Sequence, residues 1–225
     1  MILSAALSIT DTCAAQSSGR GNMENRVRNN YPDEAEARRR LDNDDNDAVA
    51  LTAIGSASLK EGDKKSAIKY LRKAVAADLS YPNAHFYLGK AYYTAGNFDG
   101  AAEEFDRFTD LMKRLPLNEN DRIQYIGMLH DISQICMTVK RYDEAYKALA
   151  DILRLSPNDQ VAVYNLGVYY YVYERSRSLA YQSFLKAIRI DPNTGTARRA
   201  QYAIEFMRNN PDPRIEPDFS FLNRE

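Results

Sequence analysis

The sequence predicts an all-α fold, a solenoid of stacked antiparallel helix hairpins, and three observations lead to it. A pattern of small and bulky residues returns every 34 positions. Gly55 and Gly89, Gly62 and Gly96, Ala67 and Ala101, and Leu71 and Phe105 are each separated by that interval, and a period of this length belongs to repeat architectures with one helix pair per unit. Apolar Ile54, Ala57, Leu71, Ala74 and Val75 are interleaved with Lys60, Lys64, Lys65, Lys69 and Lys73 at the three-to-four spacing of amphipathic helices. The strict apolar and polar alternation of a strand does not compete anywhere.

Two further copies follow once short insertions are allowed. One holds Ala145, Leu149 and Pro157; the other holds Val163, Leu166, Gly167, Tyr170, Ala180, Phe184, Ala187 and Pro192. The second copy reads His85, Leu88, Gly89, Tyr92, Ala101 and Phe105. This order of a large residue, Leu-Gly, Tyr, Ala, an aromatic or Leu, a small residue and Pro resembles the tetratricopeptide repeat. Copies one and three depart from it: Ser58 and Cys136 stand for the tyrosine, Leu51 and Leu129 for the large aromatic, and Ser133 for the glycine. The resemblance covers roughly residues 47–193. It implies a right-handed superhelix of about four repeats, near 48–81, 82–115, 126–159 and 160–193, with a capping helix over 194–208, so that the repeat domain spans 47–208.

Residues 1–31 read as a leader and tether. Met1 to Ile9 is a short apolar run, too short to span a bilayer, followed by Asp11, Thr12 and a small, polar stretch from Cys13 to Gly19. This is similar to the end of a secretory signal, with Cys13 as a candidate lipidation site or Ala15 as a candidate cleavage position. No Lys or Arg precedes the run, so two readings stand: export to the periplasm or envelope, or a cytoplasmic leader. Residues 16–31, rich in Ser, Gly, Asn and Arg, form the tether.

Residues 32–46 read as a short helix and an acidic linker. Pro32, Asp33 and Glu34 open the helix, and Glu34 with Arg38 and Glu36 with Arg40 are pairs four residues apart. The run Asp42, Asp44, Asp45 and Asp47 lacks the glycine and the twelfth-position Glu of a calcium loop, which favours a solvated linker capping the first repeat.

Within the repeats, Gly89 and Ala101 are expected where helix backbones approach closely, and Tyr92 and Phe105 in the space between successive hairpins. Gly62 and Gly96, with Asp63 and Asn97 after them, close one helix and cap the next. Pro157 and Pro192 stop the helices that precede them. Ala101 and Ala145 are 44 residues apart instead of 34; the excess surrounds Arg114 to Leu117 and is expected to lengthen the helices on either side, the second starting near Asn120. Ala200, Ala203, Ile204 and Met207 share one face of the capping helix that the end of a repeat stack requires. In the extended tail, residues 209–225, Pro211, Pro213 and Pro217 exclude regular helix, and Phe219, Phe221 and Leu222 follow. The tail is a candidate partner-binding peptide or a self-ligand.

Function is expected in a groove. The resemblance implies that the first helix of each hairpin lines a concave surface, and carrying its positions over gives Thr52, Ser56 and Leu59 in the first repeat and, as the partner-binding groove, Phe86, Lys90 and Tyr93, then His130, Gln134 and Met137, then Tyr164, Val168 and Tyr171. Rigid aromatics and adaptable Met suit an extended apolar peptide or an amphipathic helix. Thr52, Ser56, Gly127 and Asp131 stand where chaperone-binding members hold a Lys, Asn and Arg clamp, which disfavours a chaperone-tail receptor. The resemblance thus implies a non-catalytic scaffold with a protein or peptide partner. If exported, it would resemble envelope assembly factors of this repeat class; the alternative is a cytoplasmic adaptor or regulator.

Composition excludes other classes. Thirty basic residues balance thirty-one acidic ones, to a net charge of −1, which gives no electrostatic reason to expect nucleic acid. Two cysteines, at 13 and 136, build no disulfide framework, and Cys136 falls on the buried tyrosine position. Two histidines with no clustered ligands suggest no metal, and no phosphate loop or nucleophile elbow points to catalysis or a cofactor. The reading leaves the membrane to a candidate N-terminal lipid anchor and the oligomeric state open.

Overall fold

The computed structural model describes residues 32–210. The expectations for Cys13, the leader and the proline-rich tail beyond Asn210 lie outside them. The helices are α1 (Glu34–Asn43), α2 (Ala48–Lys60), α3 (Lys64–Ala77), α4 (Pro82–Thr94), α5 (Phe98–Lys113), α6 (Glu119–Thr138), α7 (Tyr142–Leu155), α8 (Gln160–Val172), α9 (Arg177–Ile190) and α10 (Gly195–Asn209), and no strand occurs among the described residues. The chain divides within α6 into two compact units, Met1–Gln124 and Tyr125–Glu225.

In the first unit each helix packs on the next, α1 on α2, α2 on α3, α3 on α4 and α4 on α5. Ala37 of α1 is fully buried against Ala50, Ala53 and Ile54 of α2. Glu34 pairs with Arg38 at 2.5 Å as the sequence suggests, but Glu36 pairs with Arg39. Arg40 turns instead to Asp47, at 2.6 Å. The other Asp47 oxygen accepts from the Val49 and Ala50 amides, so one carboxylate caps α2 and anchors α1 to it.

Close approach of two helices is the rule inside the hairpins. A Cβ at residue 55 would lie 2.6 Å from Leu71 Cγ, one at 89 would lie 2.6 Å from Phe105 Cε1, and one at 167 would lie 2.7 Å from Phe184 Cε1. Phe105 therefore fills its own hairpin, against Gly89, rather than the gap between hairpins that the sequence suggested. The interval between hairpins is filled by Leu88 and Ala91 of α4 against Ala67 and Leu71 of α3, and by Tyr81 and Ala84 against Leu51 and Ala74.

The turns repeat one geometry. Gly62 and Gly96 have φ of 84° and 81°, and the following amides of Asp63 and Asn97 donate back to Ser58 and Tyr92 carbonyls at 2.9 Å. Asp63 and Asn97 then accept from the Ser66 and Gly100 amides and cap α3 and α5. The same turn after α6 places Lys140 at φ 62°, with the Arg141 amide on the Cys136 carbonyl at 2.8 Å; Arg175 after α8 has φ 54°. α5 and α6, of 16 and 20 residues, are the longest helices among those described, so the ten extra residues do extend them.

In the second unit α7 packs on α8, α8 on α9 and α9 on α10. Val163, Phe184, Ala187, Ala200, Ala203 and Met207 share one core. Gln160 ties it: its amide donates to the carbonyls of Ala187 and Asp191 at 2.8 and 2.6 Å and accepts from the Thr194 hydroxyl at 2.8 Å. At the other end Arg177 donates to the carbonyls of Met207 and Asn210.

Two outcomes follow for stability in urea. Gly89→Ala forces Phe105 to move and should cost about 1–3 kcal/mol, whereas Gly127→Ala, exposed on α6 with no atom near its Cβ, should gain about 0.5–1 kcal/mol. Equal effects at both sites would remove the close-approach explanation. Lys140→Gly relieves a left-handed side-chain-bearing residue and should raise stability by about 0.5–1 kcal/mol, while Gly96→Ala should lower it by a similar amount.

Candidate binding surfaces on the hairpins

The nine residues expected in a groove divide sharply. Phe86, Tyr164 and Tyr171 are 3%, 7% and 1% exposed and belong to the core. The reason is helical periodicity. Phe86 lies three residues before Gly89 and Tyr164 three before Gly167, so each shares the face that the glycine turns toward the second helix; Tyr171, four after Gly167, is sealed as well, whereas Tyr93 at the same place after Gly89 is half-buried. Phe86 rests on Phe105 and Phe108, with ring centroids 6.2 and 5.3 Å away, and Tyr164 rests on Phe184 at 5.5 Å. Burial pushes the Tyr164 phenol up to about 12. These three are packing residues, not surface anchors.

The other six keep access to solvent. In the first unit the Lys90 ammonium lies 5.3 Å over the Phe86 ring and half-buried Tyr93 packs 6.0 Å from Phe98. In the second unit Met137 and Val168 are half-buried and Gln134 is exposed. His130 is committed to structure, since its Nε2 faces Asp159 Oδ2 at 3.1 Å. Asp159 also caps α8, accepting from the Ala162 amide at 2.8 Å. Burial alone would raise this carboxyl, but the hydrogen bonds from His130 and Ala162 outweigh it and hold the group below the ordinary carboxylate range. The second histidine, His85, is buried with Nδ1 at 2.6 Å from Glu104 and Nε2 at 3.1 Å from the Leu79 carbonyl, which is a packing role at the repeat's large-residue position.

A cleft of about 420 Å³ in the second unit is lined by Arg177, Tyr181, Ile204, Met207 and Arg208 among others, and one of about 390 Å³ lies in the first unit. The latter sits on first helices: Ala53, Ser56, Ala57 and Lys60 come from α2 and Tyr87 from α4, with Asp33 and Glu34 at the start of α1 closing one side. Its walls are apolar at Ala53, Ala57 and the Tyr87 ring, and polar at the rim. Of its lining, only Ser56 stood among the first-helix positions that the resemblance turns toward the concave surface. Ala53, Ala57 and Tyr87 are neighbours, one place along the helix, of positions that were singled out.

Sequence reasoning also missed a tyrosine cluster on α7 and α8. Tyr169 is buried at its centre, with Tyr146, Tyr173 and Tyr170 at 5.0, 5.4 and 5.6 Å, and Tyr142 lies 5.1 Å from Tyr173. The Tyr169 hydroxyl donates to Glu174 at 3.0 Å, and burial together with that carboxylate pushes its phenol up. The signal in the sequence was the spacing of Tyr142 and Tyr146 on one face of α7.

Among the described residues no group of three His, Cys, Asp or Glu could hold a metal ion, and no helix is long and apolar enough to cross a membrane. Models described as tetratricopeptide repeat match residues 52–111 and 126–159. A TPR repeat-containing protein of Methanocaldococcus jannaschii is 29% identical over 140 residues; the match covers 61% of this chain but 24% of that protein, so the chain spans about a quarter of that relative's length. The fold is similar to that of YrrB, described as a TPR protein with an unusual peptide-binding site (TM-score 0.56, 23% identity, covering 82% of this chain and 86% of that one). It is similar as well to PilF of Pseudomonas aeruginosa (TM-score 0.55, 22% identity, 80% and 73%) and to MamA from Desulfovibrio magneticus (TM-score 0.56, 20% identity, 74% and 86%).

The lowered Asp159 carboxyl sets an expectation for acid. A depressed folded-state value contributes stability that is complete above the unfolded value of about 4 and is lost as pH falls through the folded one. Asp159→Asn keeps a competent helix cap but loses the charge facing His130. In urea titrations followed by circular dichroism the variant should be less stable at neutral pH and lose less stability below pH 4; parallel pH profiles would show that the carboxylate charge contributes nothing.

Proposed function

The chain belongs to the tetratricopeptide repeat family, and from that premise we propose that it is a non-catalytic scaffold whose first helices bind an extended segment of a partner protein. The family's fold supports an interaction role in general; the location of the site is our reading. The observation that carries it is the cleft of about 390 Å³ on α2 and α4, a volume within the usual range of ligand sites, about 300–1,000 Å³.

The cleft has the chemistry that an extended peptide needs. Ala53, Ala57 and Tyr87 offer an apolar floor for alternate side chains. Ser56 donates to the Ala53 carbonyl at 2.9 Å and keeps acceptor capacity for a peptide N–H. Lys60 beside Asp33 and Glu34 presents both charge signs at the rim. Lys90 lies three residues beyond Tyr87, one turn along the same side of α4, and keeps access to solvent. That YrrB is described as having a peptide-binding site supports the same class of ligand.

The test is selection of peptides on the purified full-length chain from a displayed library, followed by calorimetry on the best binder. Tyr87→Ala and Ala57→Arg should each weaken Kd about tenfold or more, equivalent to about 1.4 kcal/mol, with an unchanged helical spectrum. Binding that survives both substitutions would move the site elsewhere, the tyrosine cluster of α7 and α8 being the next surface to alter.

A further inference from the structure

The second unit ends in a cleft whose chemistry matches the segment that follows it. We infer that residues 212–222 fold back over the face formed by α9 and α10 and seat an apolar side chain in the cleft, as an intramolecular strap on the last hairpin. This goes beyond the peptide-binding reading and does not rest on it, since it concerns the other unit and another occupant.

Three observations argue for that occupant. The cleft, of about 420 Å³, has Tyr181 on one wall and Ile204 and Met207 on the other, with Arg177 and Arg208 at the edge. Tyr181 is 42% exposed, so a large ring stands open to solvent at the end of the repeats. The charge is one-sided. α9 and α10 hold Arg177, Lys186, Arg189, Arg198, Arg199 and Arg208 against a single acid, Glu205, whereas Asp212, Glu216 and Asp218 outnumber Arg214 in the stretch that follows. Of these cations Arg177 and Arg208 line the cleft, while Lys186 reaches to the Pro157 carbonyl, so the acidic stretch beyond α10 follows two cations at the cleft's edge, and the apolar Phe219, Phe221 and Leu222 come next.

Geometry makes the return short. Arg177 lines the cleft and its Nη1 holds the Asn210 carbonyl at 2.8 Å, so the chain leaves α10 at the cleft's edge. Phe219 is nine residues further on, a reach of up to about 30 Å in extended chain, longer than the roughly 22 Å of α10. Pro211, Pro213 and Pro217 restrict the unbound segment and lower the entropy that docking must offset.

The chain contains no tryptophan, so Phe219→Trp and Phe221→Trp, made singly in the full chain, each give a lone reporter. In at least one of them the emission should be blue-shifted relative to the urea-unfolded chain, with acrylamide quenching reduced by about twofold or more. That protection should be independent of protein concentration. It should weaken at about 1 M salt, where the Debye length is about 3 Å, and on adding Arg208→Glu, an exposed substitution that leaves helical content unchanged. The inference is overturned if both reporters quench as in the unfolded chain. It is equally overturned if protection rises with concentration, which would seat the segment on a second copy, or if Arg208→Glu and Tyr181→Ala both leave protection intact.

Discussion

The structure depends on one constraint: the two helices of a hairpin meet where the first presents no side chain and the second presents a bulky one. Gly55 faces Leu71, Gly89 faces Phe105 and Gly167 faces Phe184, at distances no Cβ could share. Everything nearby follows from how closely the backbones approach there. Residues three before the glycine are drawn into the same interface, which is why Thr52, Phe86 and Tyr164 are buried. The turn must reverse the chain within a few residues, which requires the left-handed positions at Gly62 and Gly96 and their substitutes Lys140 and Arg175. In the third hairpin the glycine is replaced by Ser133, fully buried, whose hydroxyl is absorbed by the His130 carbonyl at 2.9 Å.

Much of this was legible in the sequence because it is local or periodic. The glycines, the capping Asp63 and Asn97, and the small residues at Ala67 and Ala101 are each dictated by backbone conformation or by lack of space. The ten extra residues before α6 had to lengthen helices because the segment around Pro116 is too short to hold them otherwise. The groove was less legible. Whether an aromatic on a first helix faces inward or outward depends on a rotation of a few tens of degrees, and a repeat register carried over from a family average does not resolve it. Tyr170, at the tyrosine position of the repeat, is half-buried, while its neighbour Tyr171, expected in the groove, is sealed.

Charge partners were the least legible. Arg40 has Glu36 at the favourable helical interval, yet it reaches Asp47 because that carboxylate is already fixed as a cap and so costs less to engage. His130 and Asp159 are 29 residues apart and meet only because two hairpin elements bring them together. The first-unit cleft belongs to the same category, since its floor comes from two repeats and its rim from a helix that precedes them.

The fastening of α10 has a dynamic consequence. α10 is the last helix among the described residues, and the last helix of a repeat stack would ordinarily fray before the rest. Here Gln160 grips its first turn through Thr194 while also holding the end of α9, and Arg177 grips its last turn from the start of α9. Lifting either end of α10 therefore breaks bonds that α8 and α9 need as well. Local opening at this end is coupled into one larger event, so amide exchange there should report a single cooperative unit of three helices instead of a gradient of protection falling toward the tip.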